Sequence, residues 1–289
     1  MNRSVFLSVF LFCFLCISVS GQSLRAAYTF HYKRDINHNK YRVESEMMLD
    51  WTPEKAVYYN DASYHSDSLC RIAFDHETGN ICNQEAWYEI KNYRASAKRD
   101  VFFLYPSKGE YEVLYILAKV LVKGKGKMTL PEWNITDEYK ITELGLRIRK
   151  AFADYLGRKW TVWYCEDIPV PAGPWLLWGT PGLITHAHDS EKIFSFDLLN
   201  VDTEGIVSRF ADYKMIYSKE CTKRYHIYEY DDIKQAEELN NKIRRDYDLL
   251  ARLAGATDEP TIIVDSKGNY SILNTKVPHI PLIPDEYWK

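Results

Sequence analysis

The chain has 289 residues, with 37 basic against 40 acidic side chains for a formal net charge of −3, and an aromatic content of 15% that includes 22 tyrosines and 8 tryptophans. Charge so close to balance excludes the basic footprint of a nucleic-acid-binding protein. No internal repeat and no low-complexity tract interrupts the sequence.

Arg3 is followed by an apolar run from Val5 to Val19, closed by the small residues Ser18, Ser20 and Gly21, which is the order of a secretory signal. A bilayer span needs ~20 apolar residues at 1.5 Å each, and this run is shorter. Residues 1–21 are therefore expected to be a cleaved signal peptide, with no transmembrane segment afterwards and residence in the periplasm or outside the cell. Phe12 precedes Cys13 and Leu15 precedes Cys16, so the small residue that a lipoprotein signal needs before its cysteine is missing. Cleavage leaves 36 basic and 40 acidic side chains over residues 22–289, expected as one β-rich domain. Cys70, Cys82, Cys165 and Cys221 survive it. In an oxidising compartment four cysteines allow three pairings. The turn residues Thr78-Gly79-Asn80 favour Cys70 with Cys82, a short loop worth ~2–3 kcal/mol, against the alternative of unpaired thiols.

In the exported chain, Tyr28, Phe30 and Tyr32 share one parity, Tyr41 to Trp51 alternates similarly, and Ala56 to Tyr59 resumes after Pro53. Period-two alternation punctuated by Asn, Asp and Pro predicts strands joined by turns. Trp87–Ile90, Asp100–Leu104 and Tyr111–Val122 continue the pattern, with a turn at Pro106–Gly109; the run from Leu114 also reads as a short helix. Lys159–Tyr164, Gly182–Ala187 and Ile193–Leu199 give the strongest strand signals, and 214–217 and 224–230 suggest another pair. A helix is predicted from Asp231 or Asp232 as cap through Leu253, its apolar residues spaced by three and four and its stop at Gly255. Residues 261–273 read as a hairpin. The expected fold is mainly β (α+β): a curved antiparallel sheet with one C-terminal amphipathic helix and a late hairpin.

Residues 172–184 read AGPWLLWGTPGLI, downstream of Trp133-Asn134-Ile135, Gly145, Lys150-Ala151, Gly157-Arg158-Lys159-Trp160 and the run Trp163 to Pro169. This segment, from about Pro131 to Asp189, resembles the GLPGLI family of exported bacterial proteins, which has no established activity. Two positions depart from the pattern: Thr180 is second in the hexapeptide, and Ile148 stands where many members carry a cysteine. The resemblance implies a shared fold for a GLPGLI-like domain, while the missing cysteine leaves the partner of Cys165 open.

Gly173, Gly179 and Gly182 permit close backbone approach, and Pro169, Pro171, Pro174 and Pro181 remove N–H donors, so 168–181 is expected as an ordered crossing instead of an interior strand. Trp175 and Trp178 would clamp it to the sheet. The alternative role for Trp175, Trp178, Trp163 and Tyr164 is ligand contact on a positioned loop. His186 and His188 are the best metal candidates, because residues two apart on a strand share a face. Cys165 as a nucleophile and Glu166-Asp167 as an acid–base pair lack any fixing geometry. Lys123-Gly-Lys-Gly-Lys127 lacks the spacing of a phosphate loop and reads as a mobile loop. No catalytic or cofactor motif stands out, so no cofactor is expected. The leading expectation is a non-enzymatic binding protein with an outer-membrane or envelope protein partner; the alternatives are a carbohydrate-binding module for a glycan, favoured by the aromatic content, and a metal-dependent enzyme or carrier using His186 and His188.

Overall fold

The computed structural model describes residues 23–33, 42–75, 77–78, 80–93, 99–218, 225–255, 262–264, 270–272 and 279–288. The signal segment and Cys221 lie outside the described residues.

The alternating segments assemble into one twelve-stranded sheet. Its strands are β1 (Leu24–Lys33), β2 (Arg42–Trp51), β3 (Ala56–Asn60), β4 (Val101–Tyr105), β5 (Glu110–Leu117), β6 (Val120–Lys127), β7 (Asn134–Ile141), β8 (Arg147–Tyr155), β9 (Arg158–Cys165), β10 (Leu183–Asp189), β11 (Phe194–Asp202) and β12 (His226–Tyr230). The spatial order is β12-β6-β5-β4-β3-β2-β1-β11-β10-β9-β8-β7. Strands consecutive in sequence pair as two meanders, β1–β6 and β7–β11, joined by the antiparallel pairing of β1 with β11. The sheet is mixed and not wholly antiparallel, because β12 pairs parallel to β6.

The alternation sorts the sheet into two faces. On the inner face Tyr28, Phe30, Leu49, Trp160, Phe194 and Phe196 are buried together with the 168–181 bend and with Ile233, Ala236 and Ile243 of helix α4 (Ile233–Arg245). On the outer face, Val57, Tyr59, Phe103, Leu114 and Leu121 of β3–β6 pack against Phe210, Tyr213 and Ile216 of α3 (Phe210–Ile216) and Tyr64 of α1 (Asp61–Ala73). Both helices are tied down by a buried carboxylate: Asp50 accepts from the Arg25 guanidinium at 2.6 and 2.8 Å and from the Arg209 N–H at 2.7 Å, while the Arg209 guanidinium reaches Asp61 at 2.6 Å.

Five α-helices occur among the described residues, where one was expected. Trp87–Ile90 is not a strand; α2 (Gln84–Glu89) begins there because Asn83 accepts from the Ala86 N–H as its cap. Residues 214–217 fall in and just after α3, where Phe210, Tyr213 and Ile216 present one helical face to the sheet. The run from Leu114 is a β5–β6 hairpin that turns at Ala118, φ 51°. The predicted C-terminal helix is capped by Asp232 but breaks at Asp246, whose carboxylate accepts from the Leu249 N–H and starts α5 (Tyr247–Leu253).

Lys123–Lys127 is the end of β6 and not a mobile loop. Its lysines and glycines alternate between faces, and a Cβ on Gly124 would stand 2.6 Å from the Ala236 Cβ, so the glycine admits α4 against the strand. At the far edge, the β7–β8 register breaks between Ile135 and Tyr139, and the Arg149 guanidinium donates to the Thr136 carbonyl at 2.6 Å. Ile262–Val264 pairs antiparallel with Tyr270–Ile272 as a separate two-stranded sheet.

Candidate functional site

The proline- and glycine-rich bend closes onto the end of β9 and β10. Its backbone is tied by Leu183 N–H to Ile168 C=O at 2.9 Å, Ile184 N–H to Ala172 C=O at 2.9 Å and Gly179 N–H to Pro171 C=O at 3.0 Å. At Gly182 a Cβ would lie 1.9 Å from the Cys165 carbonyl oxygen, and at Gly173 2.7 Å from the Ile184 Cβ, so neither position admits another residue without displacing the chain. Gly179 adopts φ +84° beside Leu130. Pro174 is buried and accepts from the Leu177 N–H at 3.1 Å, whereas Pro181 is exposed. Thr180, the departure from the hexapeptide, is buried and donates its hydroxyl to the Gly182 carbonyl at 2.6 Å.

The tryptophans hold this bend in place. Trp175 is 2% exposed, sits at the left-handed φ of 56° and lies 5.8 Å from the Trp160 ring. Trp178 is partly exposed; its Nε1 donates to Thr129 C=O at 3.0 Å and its own carbonyl accepts from Trp133 Nε1 at 2.8 Å. Tyr164 is buried, and Trp163, 9% exposed, lies under the ammonium groups of Lys140 and Lys150 at 4.2 and 5.8 Å from its ring centre. The aromatic side chains singled out as ligand contacts are therefore mostly enclosed, with Trp178 alone among the four half-exposed.

His186 and His188 do share a face, as the strand period requires, with ring centres 5.6 Å apart. The register sets Asp197 opposite His186 and Thr29 beyond it, and Ser195 opposite His188 with His31 beyond. His186 Nδ1 is hydrogen-bonded to Asp197, His188 Nδ1 to the Asp189 carbonyl at 3.1 Å, and His31 approaches Glu44 at 3.6 Å. Partial burial opposes ionisation of Asp197, but the hydrogen bond from His186 and the nearby His31 and Lys140 outweigh it and hold the carboxyl below its ordinary range. No group of three or more His, Cys, Asp or Glu fit to hold a metal occurs among the described residues. Asp197 and His31 escaped the sequence reading because strand register brings them beside the histidines, Asp197 through the β10–β11 pairing and His31 through the β1–β11 pairing.

Cys70 and Cys82 are not joined by a disulfide; the Cys82 thiol turns instead to the carbonyls of Ile72 and Ala73 at 3.4 and 3.5 Å. Burial pushes the Cys165 thiol up, opposite to what a nucleophile needs. Glu166 pairs with Arg149 at 3.3 Å as a surface charge.

Cavities open beside α3 and along the 279–286 segment. One of about 110 Å³ lies between α3 and β6, walled by Phe103, Tyr213, Tyr217, Lys123, Lys214 and Glu229. Lys214 is already neutralised by Glu112 at 2.5 Å. A wider one of about 540 Å³ runs along the 279–286 segment past Arg158, Asp189, Glu191 and Arg245. Arg158 donates to Asp189 at 3.0 Å and to the carbonyls of Leu282 and Pro281 at 2.8 and 2.7 Å, and Asp189 also accepts from the N–H groups of Ile193 and Phe194.

No family model and no curated protein matches the sequence. Among solved structures, the C2 and P21 crystal forms of PNGF-II superimpose with a TM-score of 0.48 at 16% identity, over 77% and 78% of this chain and 33% and 34% of theirs. The chain thus spans about a third of the length of those structures.

Proposed function

We propose that this chain is an exported cell-envelope protein of the GLPGLI type that acts by binding another macromolecule, and that the outer face of β9, β10, β11 and β1 is its contact surface. The observation that carries this is the contrast between the two halves of the outer face. Over β3–β6 the outward side chains Val57, Tyr59, Phe103, Leu114 and Leu121 form an apolar patch covered by α1 and α3, with Glu112, Lys123 and Lys125 at its margin. Over β1 and β9–β11 they are mostly polar: Thr29, His31, Thr161, His186, His188, Ser195 and Asp197 are each partly exposed and able to hydrogen-bond, around the nearly enclosed Trp163. The bend that carries the family resemblance serves as a clamp, which leaves this face as the surface for recognition. A glycan ligand needs flat exposed rings; of the four candidate aromatic side chains, Trp163, Tyr164 and Trp175 are buried and Trp178 is partly exposed, which favours the polar face over the bend as the contact surface.

The test is photo-crosslinking in intact cells from positions 161, 188 and 195, with position 139 at the sheet edge as control. A specific adduct of defined mass from the outer-face positions is expected. Recovery of the bare monomer alone from all of them would remove the reading.

A further inference from the structure

His186 and His188 carry a second feature that binding to a macromolecule does not call for. Carbonyl and carboxylate oxygens only accept hydrogen bonds, so each Nδ1 must hold the ring proton, one given to Asp197 and the other to the Asp189 carbonyl. In the neutral rings both Nε2 atoms are then left with lone pairs. This is the arrangement of metal-ligating histidines, whose second nitrogen is fixed by a carboxylate or a backbone carbonyl. The spacing agrees: with Zn–N bonds of about 2.0–2.1 Å, two imidazoles on one ion stand roughly 5 Å apart, centre to centre, and these rings are 5.6 Å apart. His186 is 29% exposed, so an ion can reach it from solvent.

We infer that His186 and His188 form an open two-histidine site for a borderline transition-metal cation, Zn²⁺ or Cu²⁺, with Asp197 as the positioning residue that fixes the His186 ring. Two protein ligands leave the remaining coordination positions to water or to a donor on another molecule. Such a site is weaker than a closed structural one, which takes four ligands, and it favours Cu²⁺ over Zn²⁺ by the usual divalent order. His31 is not a ligand: it lies two strands away from His188 and is directed to Glu44. The site stands or falls on these two rings, whichever macromolecule the face meets.

The experiment is calorimetric titration of the purified chain with Zn²⁺ and with Cu²⁺, alongside electron paramagnetic resonance of the Cu²⁺ form to count coordinated nitrogens, with circular dichroism to verify folding of each variant. The wild type is expected to bind one equivalent that H186A or H188A weakens at least tenfold, while H31A binds as the wild type. Asp197→Asn is expected to weaken binding ~10–100-fold, the usual effect of losing a partner of a ligating histidine. Unchanged binding by the folded H186A/H188A double variant, or a loss in H31A equal to that in H188A, would overturn the assignment. Unchanged affinity in D197N would overturn the role of Asp197.

Discussion

Arg158 and Asp189 face each other at 3.0 Å with side chains only 8% and 1% exposed, one at the start of β9 and the other at the end of β10. Removing one partner of such a pair strands the other charge, at a cost of about 3–5 kcal/mol. Arg158→Met is therefore expected to lower stability by that amount in urea melts, and to free the 279–288 segment for proteolysis because the Pro281 and Leu282 carbonyls lose their donor. The exposed pair Lys125–Asp231 is the contrast: Lys125→Ala should leave the midpoint unmoved.

Gly182→Ala tests the bend. The added methyl would meet the Cys165 carbonyl oxygen at 1.9 Å, a backbone atom that cannot swing away. The expected loss is about 3 kcal/mol, the upper end of overpacking costs. At Gly109 the space is open and only the φ of +63° resists a side chain, so Gly109→Ala should cost ~1 kcal/mol. Equal melting points for the two variants would contradict the clamp.

The two tryptophans of the bend should separate cleanly. Trp175→Ala empties a buried site beside Trp160 and is expected to cost ~3–5 kcal/mol. Trp178→Phe keeps an aromatic ring but deletes the indole donor to the Thr129 carbonyl, worth ~1 kcal/mol, with a small further loss of contact area. Thermal melts of both variants check the ranking.

Burial raises the phenol groups of Tyr28, Tyr58, Tyr115 and Tyr217 above the ordinary range, and that of Tyr155 to about 12. The folded values exceed the unfolded value of ~10, so the stability they contribute is complete below that pH and falls as pH rises above it. The tyrosinate absorbance in excess of that from solvent-exposed tyrosines such as Tyr88 and Tyr139 should therefore appear together with loss of the circular dichroism signal. Ionisation of the full complement of tyrosines while the fold persists would show that the buried rings are accessible to base.

Local pattern made much of this fold legible. Tyr28, Phe30 and Tyr32 point inward as their parity required, Asp232 caps its helix, and the bend at 168–181 is an ordered crossing held by Trp175. Two of the failures are segments of four residues, Trp87–Ile90 and 214–217, over which periods of 2 and 3.6 cannot be told apart. What decided them was a cap at Asn83 and the burial of Phe210 and Tyr213 against β3–β4. At the site, the histidine pair was readable because parity is local. Asp197, His31 and the Arg158–Asp189 pair were not, since strand register and loop closure join residues that no sequence window contains.

An open sheet has two raw margins, and each is a template on which a neighbouring molecule can extend the array. Here β12 offers a run of five residues, while the β7 margin is kinked between Ile135 and Tyr139, with the Thr136 carbonyl already taken by Arg149. A short margin and a kinked one are the devices by which sheet proteins limit side-by-side growth into ribbons or fibrils.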